Sequence, residues 1–376
     1  MNKFLVLVVC CFLCSASIVF SQGKDQEITV VRKESSVVKQ VKASKNGKIK
    51  NVVLMVGDGM SLSAMYSAWA VNKGELNLES CQAVGLAKTY CFDRMITDSG
   101  AAGTALATGH KTRYHSVGVD PDGKPLKSLV DLSAARQKST GIVVTCELND
   151  ATPAAFCAHN VDRSQADAII SDYVDCGVDF IFGGGRCHFD ERSDGRNIFK
   201  EMQAKGYQLP LNLEELKTIK EGKVLAVWEK HNLPQSAVRK DLLAQSSMNA
   251  LRLLSQNKKG FFLMIEGSQI DHCGHSNSLE AMMEEALDFD RVVGQVFEWA
   301  AADGETLVVV TADHETGGLT LVGGSLESGE IVGKFSTENH SGVMVPVYAF
   351  GPGSDWFTGI YENTDIFEKI KHLLKL

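Results

Sequence analysis

The chain has 376 residues, of which 44% are hydrophobic and 22% are charged. This composition is enough for a large packed core and excludes a disordered chain. The formal net charge is −8 and residues 51–376 are more acidic still, which disfavours a nucleic acid as partner but leaves room for a small anion at a local positive site.

The chain begins with a pattern that is typical of a secretory signal peptide. Lys3 precedes an apolar run, and small residues follow it, with Ser21 at the predicted cleavage position. The run is too short for a membrane anchor, which needs about 20 apolar residues. We therefore expect residues 1–21 to be removed and the protein to be secreted, to the periplasm or outside the cell, with no stable membrane span.

The next segment is basic, with eight Lys or Arg and three acidic residues in residues 22–50. We predict a flexible N-terminal segment over residues 22–47, with a short strand possible at ITVV, residues 28–31. Residues 48–376 contain no repeat, no low-complexity stretch and no linker-like composition. They are predicted to form a single catalytic domain.

Short apolar runs alternate with helical patterns in this domain. The runs are typical of strands covered on both faces, and they span residues 51–56, 141–146, 178–183, 261–267, 306–311 and 345–351. Helical patterns span residues 125–138, 162–175, 236–256 and 278–301. The alternation predicts a doubly wound α/β fold, with a mostly parallel central sheet and helices on both faces.

Carboxylates and histidines follow several of the predicted strands. They are Asp58 after the first strand, Glu266, Asp271 and His275 around and after the fourth, Asp313 and His314 after the fifth, and His340 before the last. A single such Asp is more often a helix cap or a turn residue. Because ligands bind beyond the carboxyl ends of strands in open α/β sheets, the set together predicts a metal site there. Mixed Asp and His ligands are typical of zinc.

Two further motifs carry candidate residues. In TDSGAAGTALATG, Ser99 stands at the head of a predicted helix, whose N-terminal N–H groups can attract phosphate; the alternative is that Asp98 or Ser99 only caps a closely packed helix. In ELNDATPAAFCAHNVDR, the polar residues Asp150, Thr152 and Arg163 follow the second predicted strand. Taken alone, Thr-Pro there is more often a plain helix start.

In this order, the motifs VGDGM, TDSGAAGTALATG, DATPAA, EGSQIDHCGH, TADHETGG and ENHSG resemble those of the alkaline phosphatases, over residues 48 to 364. The resemblance is to the compact bacterial members, which are phosphomonoesterases with two zinc ions and one magnesium ion. It implies the family's fold, hydrolysis of small phosphomonoesters through a phosphoserine, inorganic phosphate as product and inhibitor, and a homodimer.

The resemblance also implies a role for each matching residue. Ser99 matches the nucleophile, and Arg163 matches the arginine that binds phosphate oxygens. The first zinc would be held by Asp271, His275 and His340, the second by Asp58, Asp313 and His314, and magnesium by Asp58, Thr152 and Glu266. This allocation fits metal chemistry, because Mg²⁺ prefers oxygen ligands and two zinc ions can stabilise the attacking and leaving oxygens.

Two positions of the resemblance vary within the family. Asp150 and His272 match places beside the metal ligands that differ among members, so their effect on the magnesium site and on phosphate release is open. Cys273 lies within the metal-ligand loop, and we expect its thiol to point away because the family's ligand set contains no sulfur.

Other functions of this fold class fit the sequence less well. A sulfatase needs a CxPxR motif, which the sequence lacks, and the diesterases usually carry a Thr nucleophile without this arginine. A non-enzymatic phosphate- or zinc-binding protein would be expected to lack the nucleophile or a shared ligand. Activity ratios on a phosphate monoester and its diester discriminate between the enzymes.

Overall fold

Residues 26–376 are described by a computed structural model, so the predicted signal peptide and the first residues after it lie outside the described residues. The strands are β1 Ile28–Val31, β2 Asn51–Gly57, β3 Ala83–Lys88, β4 Ser139–Glu147, β5 Phe180–Gly184, β6 Tyr207–Gln208, β7 Lys223–Val227, β8 Phe261–Gly267, β9 Thr306–Thr311, β10 Glu315–Thr316, β11 Leu319–Ser325, β12 Glu330–Phe335, β13 His340–Ser341, β14 Val345–Phe350 and β15 Gly359–Glu362. The helices are α1 Leu62–Val71, α2 Ser99–Thr108, α3 Leu129–Ala135, α4 Ala151–Ala154, α5 Ala166–Cys176, α6 Cys187–Asp190, α7 Ile198–Ala204, α8 Leu213–Thr218, α9 Ser236–Arg239, α10 Leu242–Leu254, α11 Gln269–His275, α12 Leu279–Asp303 and α13 Asn363–Leu374.

A ten-stranded central sheet, in the order β15-β3-β14-β9-β2-β8-β4-β5-β7-β6, organises the fold. β14 runs antiparallel to both of its neighbours, and the other pairs in this sheet are parallel. The predicted α/β class with a mostly parallel sheet and surrounding helices is confirmed. Two small antiparallel sheets lie outside it, β1-β12-β11 and β10-β13.

The middle of the sheet consists of β9, β2, β8 and β4. Every residue of β2, β8 and β9 is buried, as their near-continuous apolar sequences predict. The long helix α12 packs on β2, β8 and β9, while α10 packs on β4, β5 and β8. Because β2, β8, β9 and β4 are parallel, their carboxyl ends meet at one edge of the molecule.

Three predicted helices differ from the observed ones. The pattern over residues 125–138 is a helix only over Leu129–Ala135. The pattern over residues 236–256 is divided into α9 and α10, because Lys240 has a positive φ of 51° and Arg239 turns inward to Glu285 and Asp288 on α12. The pattern over residues 162–175 begins as a helix only at Ala166. Arg163 therefore lies in the preceding loop and not on a helix.

The basic N-terminal segment is predicted to be flexible. The part of it that the structure describes, residues 26–47, contacts the domain. β1 pairs with β12, as the ITVV pattern allowed, and the backbone N–H groups of Ser36, Lys39 and Val41 donate hydrogen bonds to side chains of the domain. Arg32 also forms an ion pair with Glu284 at 3.0 Å. Within residues 26–376, the helices are all too short or too polar to cross a membrane.

Candidate active site

The ends of the central strands bring the predicted carboxylates together. Asp58 follows β2, and its backbone N–H donates to the carbonyl of Gly267 at the end of β8. The N–H of Gly59 donates to Asp313 Oδ1 at 3.1 Å, which joins the ends of β2 and β9. Glu266 lies opposite Val56 in the β2–β8 register.

Asp271, His275 and His340 form one group whose ligand atoms all lie within 4.8 Å of one another. His275 follows Asp271 by one turn of α11, and their Nε2 and Oδ2 atoms are 3.3 Å apart. His340 Nε2 lies 3.2 Å from His275 Nε2. Two imidazole nitrogens and a carboxylate oxygen at this spacing fit one zinc ion.

Backbone carbonyls orient both histidines of this group. His275 Nδ1 contacts the carbonyl of Glu338 at 2.6 Å, and His340 Nδ1 contacts that of Thr97 at 2.8 Å. Each contact places the proton on Nδ1 and leaves Nε2 as the nitrogen that can bind a metal. The pairing of β10 with β13 fixes the backbone of His340 opposite Thr316.

Asp58, Asp313 and His314 form a second group within the same 4.8 Å limit, and all three are buried. His314 Nε2 lies 3.1 Å from Asp313 Oδ2 and 3.5 Å from Asp58 Oδ1. Thr316, which the sequence reasoning did not single out, contacts both His314 Nδ1 and Asp271 Oδ1 through its hydroxyl. Its side chain thus links the two groups.

Asp58, Thr152 and Glu266, which the resemblance matches to the magnesium ligands, offer only oxygen atoms. One side-chain oxygen of each is buried without a hydrogen-bond partner: Asp58 Oδ1, Thr152 Oγ1 and Glu266 Oε1. Burial raises the pKa of Glu266 well above its usual value, and the charges of Asp150 and Asp313 raise it further. Burial, with Asp313 and Asp271, does the same to the pKa of Asp58. Unpaired buried carboxylate oxygens are costly, and a hard divalent cation satisfies them.

Ser99 is the first residue of α2, and its Oγ lies 3.0 Å from His314 Nε2. Asp98 caps the helix by accepting from the N–H groups of Gly100 and Ala101, both at 3.2 Å. Asp98 is therefore the helix cap, as one of the two interpretations of this motif predicted. Through its contact with His314, the hydroxyl of Ser99 lies at the edge of the group formed by Asp58, Asp313 and His314.

Arg163 is held by two carboxylates. Its Nη1 donates to Asp98 Oδ2 at 3.0 Å and its Nη2 donates to Asp150 Oδ1 at 2.8 Å. Burial alone would raise the pKa of Asp98, but Arg163 and the backbone N–H of His115 lower it below its usual value. Asp150 Oδ2 lies 3.9 Å from His272 Nε2, so Asp150 contacts both the guanidinium and the other variable position.

Other candidates lie outside these groups. Cys273 is buried, and its sulfur lies 3.9 Å from Gln235 Nε2. It belongs to none of the metal-ligand groups found among residues 26–376. His159 Nε2 contacts the carbonyl of Leu126, as expected of a structural histidine. A cavity of about 510 Å³ opens beside His275 and His340 and is lined also by Arg94, Met95, Ile96, Thr97, Tyr114 and Asn339.

Comparison with known proteins identifies relatives along most of the chain. The family model described as alkaline phosphatase matches residues 49–334. The chain is 33% identical to alkaline phosphatase 4 of Bacillus subtilis (strain 168), over 91% of each chain. It is 36% identical to the solved alkaline phosphatase of the Antarctic bacterium TAB5, with a TM-score of 0.84 over 87% of this chain and 98% of that one. A mutant of the TAB5 enzyme, 35% identical with a TM-score of 0.83 and the same coverage, has Mg bound in its M3 site.

Proposed function

Since this chain belongs to the alkaline phosphatase family of phosphomonoesterases, we propose that it hydrolyses phosphate monoesters to an alcohol and inorganic phosphate through a phosphoserine at Ser99. The observation that carries the proposal is the position of Ser99 Oγ, 3.0 Å from His314 Nε2 at the edge of a buried metal-ligand group. A serine held against such a group is in the position that a nucleophile requires.

The three ligand groups fit two zinc ions and one magnesium ion. Asp271, His275 and His340 would hold one zinc; Asp58, Asp313 and His314 would hold the other; and Asp58, Thr152 and Glu266 would hold magnesium. When bound, the zinc ions supply Lewis acidity for the attacking and leaving oxygens. The unpartnered oxygens of Asp58, Thr152 and Glu266 support the magnesium assignment.

Arg163 is the residue that binds the phosphoryl group in this proposal. Asp98 and Asp150 fix one N–H of each terminal nitrogen, so the guanidinium plane is set before substrate arrives and its remaining N–H groups can form two parallel bonds to phosphate oxygens. A lysine could not provide this geometry, because an ammonium has no planar fork.

The charge of the site favours a phosphate dianion only by a small margin. With three divalent ions, Arg163 and the four ligand carboxylates, the formal charge is +3. Asp98 and Asp150 contact Arg163 and lower that value to +1. We therefore infer that the site attracts phosphate without trapping the product strongly, which suits an enzyme that must release inorganic phosphate.

The ester group would lie in the cavity beside His275 and His340. The cavity is lined by the apolar side chains of Met95 and Ile96 and by the polar side chains of Arg94 and Tyr114, and it is open to solvent. This fits a range of small phosphomonoesters as substrates. We further propose that the signal peptide is cleaved, that the enzyme acts in the periplasm or outside the cell, and that it forms a homodimer.

Acid quenching of the purified mature chain during turnover tests the proposal. A phosphomonoester such as p-nitrophenyl phosphate should leave a phosphorylated peptide that contains Ser99, detected by mass spectrometry. Ser164, an exposed serine next to Arg163, serves as an internal control that should stay unmodified. Turnover without any phosphorylated Ser99 peptide would show that the reaction does not pass through this residue.

A further inference from the structure

A second set of metal-binding side chains lies outside the active site. Glu147 ends β4, Cys187 and His188 begin α6, and His231 follows β7. The ligand atoms of Glu147, Cys187 and His188 all lie within 4.8 Å of one another. None of these residues belongs to the groups that surround Ser99, and the alkaline phosphatase motifs do not include them.

Several distances in this cluster are close to those between zinc ligands, although His231 lies outside the three-residue group whose ligand atoms are all within 4.8 Å of one another. Glu147 Oε2 lies 3.2 Å from His188 Nε2, and Glu147 Oε1 lies 3.1 Å from His231 Nδ1. Cys187 Sγ lies 3.9 Å from His231 Nδ1. Zinc bond lengths place tetrahedral N and O ligands about 3.3 Å apart and S and N ligands about 3.6 Å apart.

A further carboxylate orients one of the histidines. His188 Nδ1 lies 3.1 Å from Asp167 Oδ1 on α5, which fixes the proton on Nδ1 and directs Nε2 toward Glu147. A carboxylate behind a metal-binding histidine is a common feature of zinc sites, and it raises the basicity of the ligand nitrogen. Glu147 and a Cys187 thiolate together would balance the two charges of Zn²⁺.

The backbone holds these residues together before any ion binds. Gly185 N–H donates to the carbonyl of His231 at 3.0 Å, and Cys187 N–H donates to that of Lys230 at 3.3 Å. Gly184 allows this approach, because a Cβ at that position would lie 2.1 Å from the carbonyl oxygen of His231. The chain after β7 is thus held against the start of α6 by contacts that need no side-chain ligand.

Cys187 is available as a ligand. All seven cysteines within residues 26–376 are free thiols, Cys187 among them. The cluster is also open to solvent on one side, since the side chain of His231 is 65% exposed. An ion can therefore reach it in the folded protein.

We propose that Glu147, Cys187, His188 and His231 bind a third zinc ion, which joins β4, α6 and the segment after β7. The ion has a structural role, because all four coordination positions are filled by protein and none is left for substrate. The proposal does not depend on the reaction at Ser99, from which the cluster is separate.

Cobalt substitution tests this site independently of catalysis. None of the active-site ligand groups contains sulfur, but Cys146 Sγ lies 3.8 Å from Glu266 Oε2. A thiolate-to-Co²⁺ charge-transfer band in the near ultraviolet is therefore assigned to Cys187 by its loss in a Cys187 variant. The metal-depleted mature protein, reloaded with Co²⁺, should show this band. Cys187→Ser should lose it, and His231→Asn should weaken it. Cys81→Ser changes a partly buried cysteine away from the cluster and should keep the band.

Zinc counting completes the test. Zinc-saturated wild-type protein should hold one more zinc per chain than Cys187→Ser, while kcat on a phosphomonoester is the same for both proteins. Absence of the charge-transfer band in the wild type, or equal zinc contents in the two proteins, would overturn the proposal and leave the cluster as a hydrogen-bond network. Loss of Ser99 phosphorylation would overturn the proposed function and leave this site untouched.

Discussion

Replacing Arg163 with alanine should slow monoester hydrolysis far more than diester hydrolysis. Each charge-assisted hydrogen bond from a guanidinium contributes about 1.5–3 kcal/mol. Since the side chain is 21% exposed and water can replace part of the interaction, we take the lower value for each of two bonds, about 3 kcal/mol. That corresponds to a loss of roughly 10²-fold in kcat/KM for a monoester.

A diester has one anionic oxygen fewer to offer the guanidinium. It should lose only one of the two bonds, about 1.5 kcal/mol, or roughly tenfold in kcat/KM. The ratio of monoester to diester activity should therefore fall by about tenfold. Inorganic phosphate should also inhibit Arg163→Ala more weakly than it inhibits the wild type.

The substitution also leaves buried Asp98 without its cationic partner, which destabilises the folded protein. Asp98 keeps the hydrogen bonds from Gly100, Ala101 and His115, so the start of α2 retains its cap. A lower folded fraction reduces both activities equally and cancels in the ratio. Steady-state kinetics on p-nitrophenyl phosphate and bis-p-nitrophenyl phosphate measure the ratio of monoester to diester activity.

Arg163→Lys is the matched control, because it keeps the positive charge and removes the planar fork. It should lie between alanine and the wild type on the monoester. An unchanged monoester-to-diester ratio in Arg163→Ala would mean that Arg163 only supports Asp98 and Asp150, and the assignment of phosphate binding to it would be wrong.

Three further predictions follow from the site and the core. Ser99→Ala should lose most turnover and keep its metals, which kinetics and metal analysis check; full activity would exclude Ser99 as nucleophile. Glu266→Gln should keep the active-site zinc, and its activity should respond less to added Mg²⁺. His275→Ala should lose a zinc ion and most activity at any Mg²⁺ concentration. Loss of the same metal from both variants would show that the two residues serve one ion. Arg239→Ala leaves two buried carboxylates on α12 without their shared partner and should lower the free energy of unfolding by about 3–5 kcal/mol, measured by urea denaturation with metals present. A loss below about 1 kcal/mol would mean that Glu285 and Asp288, which keeps its ion pair with Arg291, do not depend on Arg239.

The sequence predicts the middle of the sheet well and its edges poorly. β2, β8 and β9 are mostly apolar, because both of their faces are covered. β3 alternates buried and exposed residues, and β15 has its first residues exposed, so neither resembles the central runs. The two-residue strands β10 and β13 carry no periodicity at all, although they position His340.

In the candidate site, the residue types that could bind a metal are visible in the sequence, and the groups that orient them are not. The carbonyls of Thr97 and Glu338 fix the two histidines, and any amino acid at those positions offers the same carbonyl. Asp98 could be expected as a helix cap, but its contact with Arg163 joins residues 65 positions apart. Such contacts depend on the fold and leave no local pattern.

The pairing of distant segments has a consequence for how the protein is made. β1 pairs with β12, and the proposed ligand set runs from Asp58 near the start of the chain to His340 near its end. During synthesis, the first of these residues emerge long before their partners exist, and folds dominated by such distant contacts form slowly. A nascent or truncated chain that stops before β13 lacks His340. We therefore expect it to be inactive, so that activity appears only in chains that extend through β13.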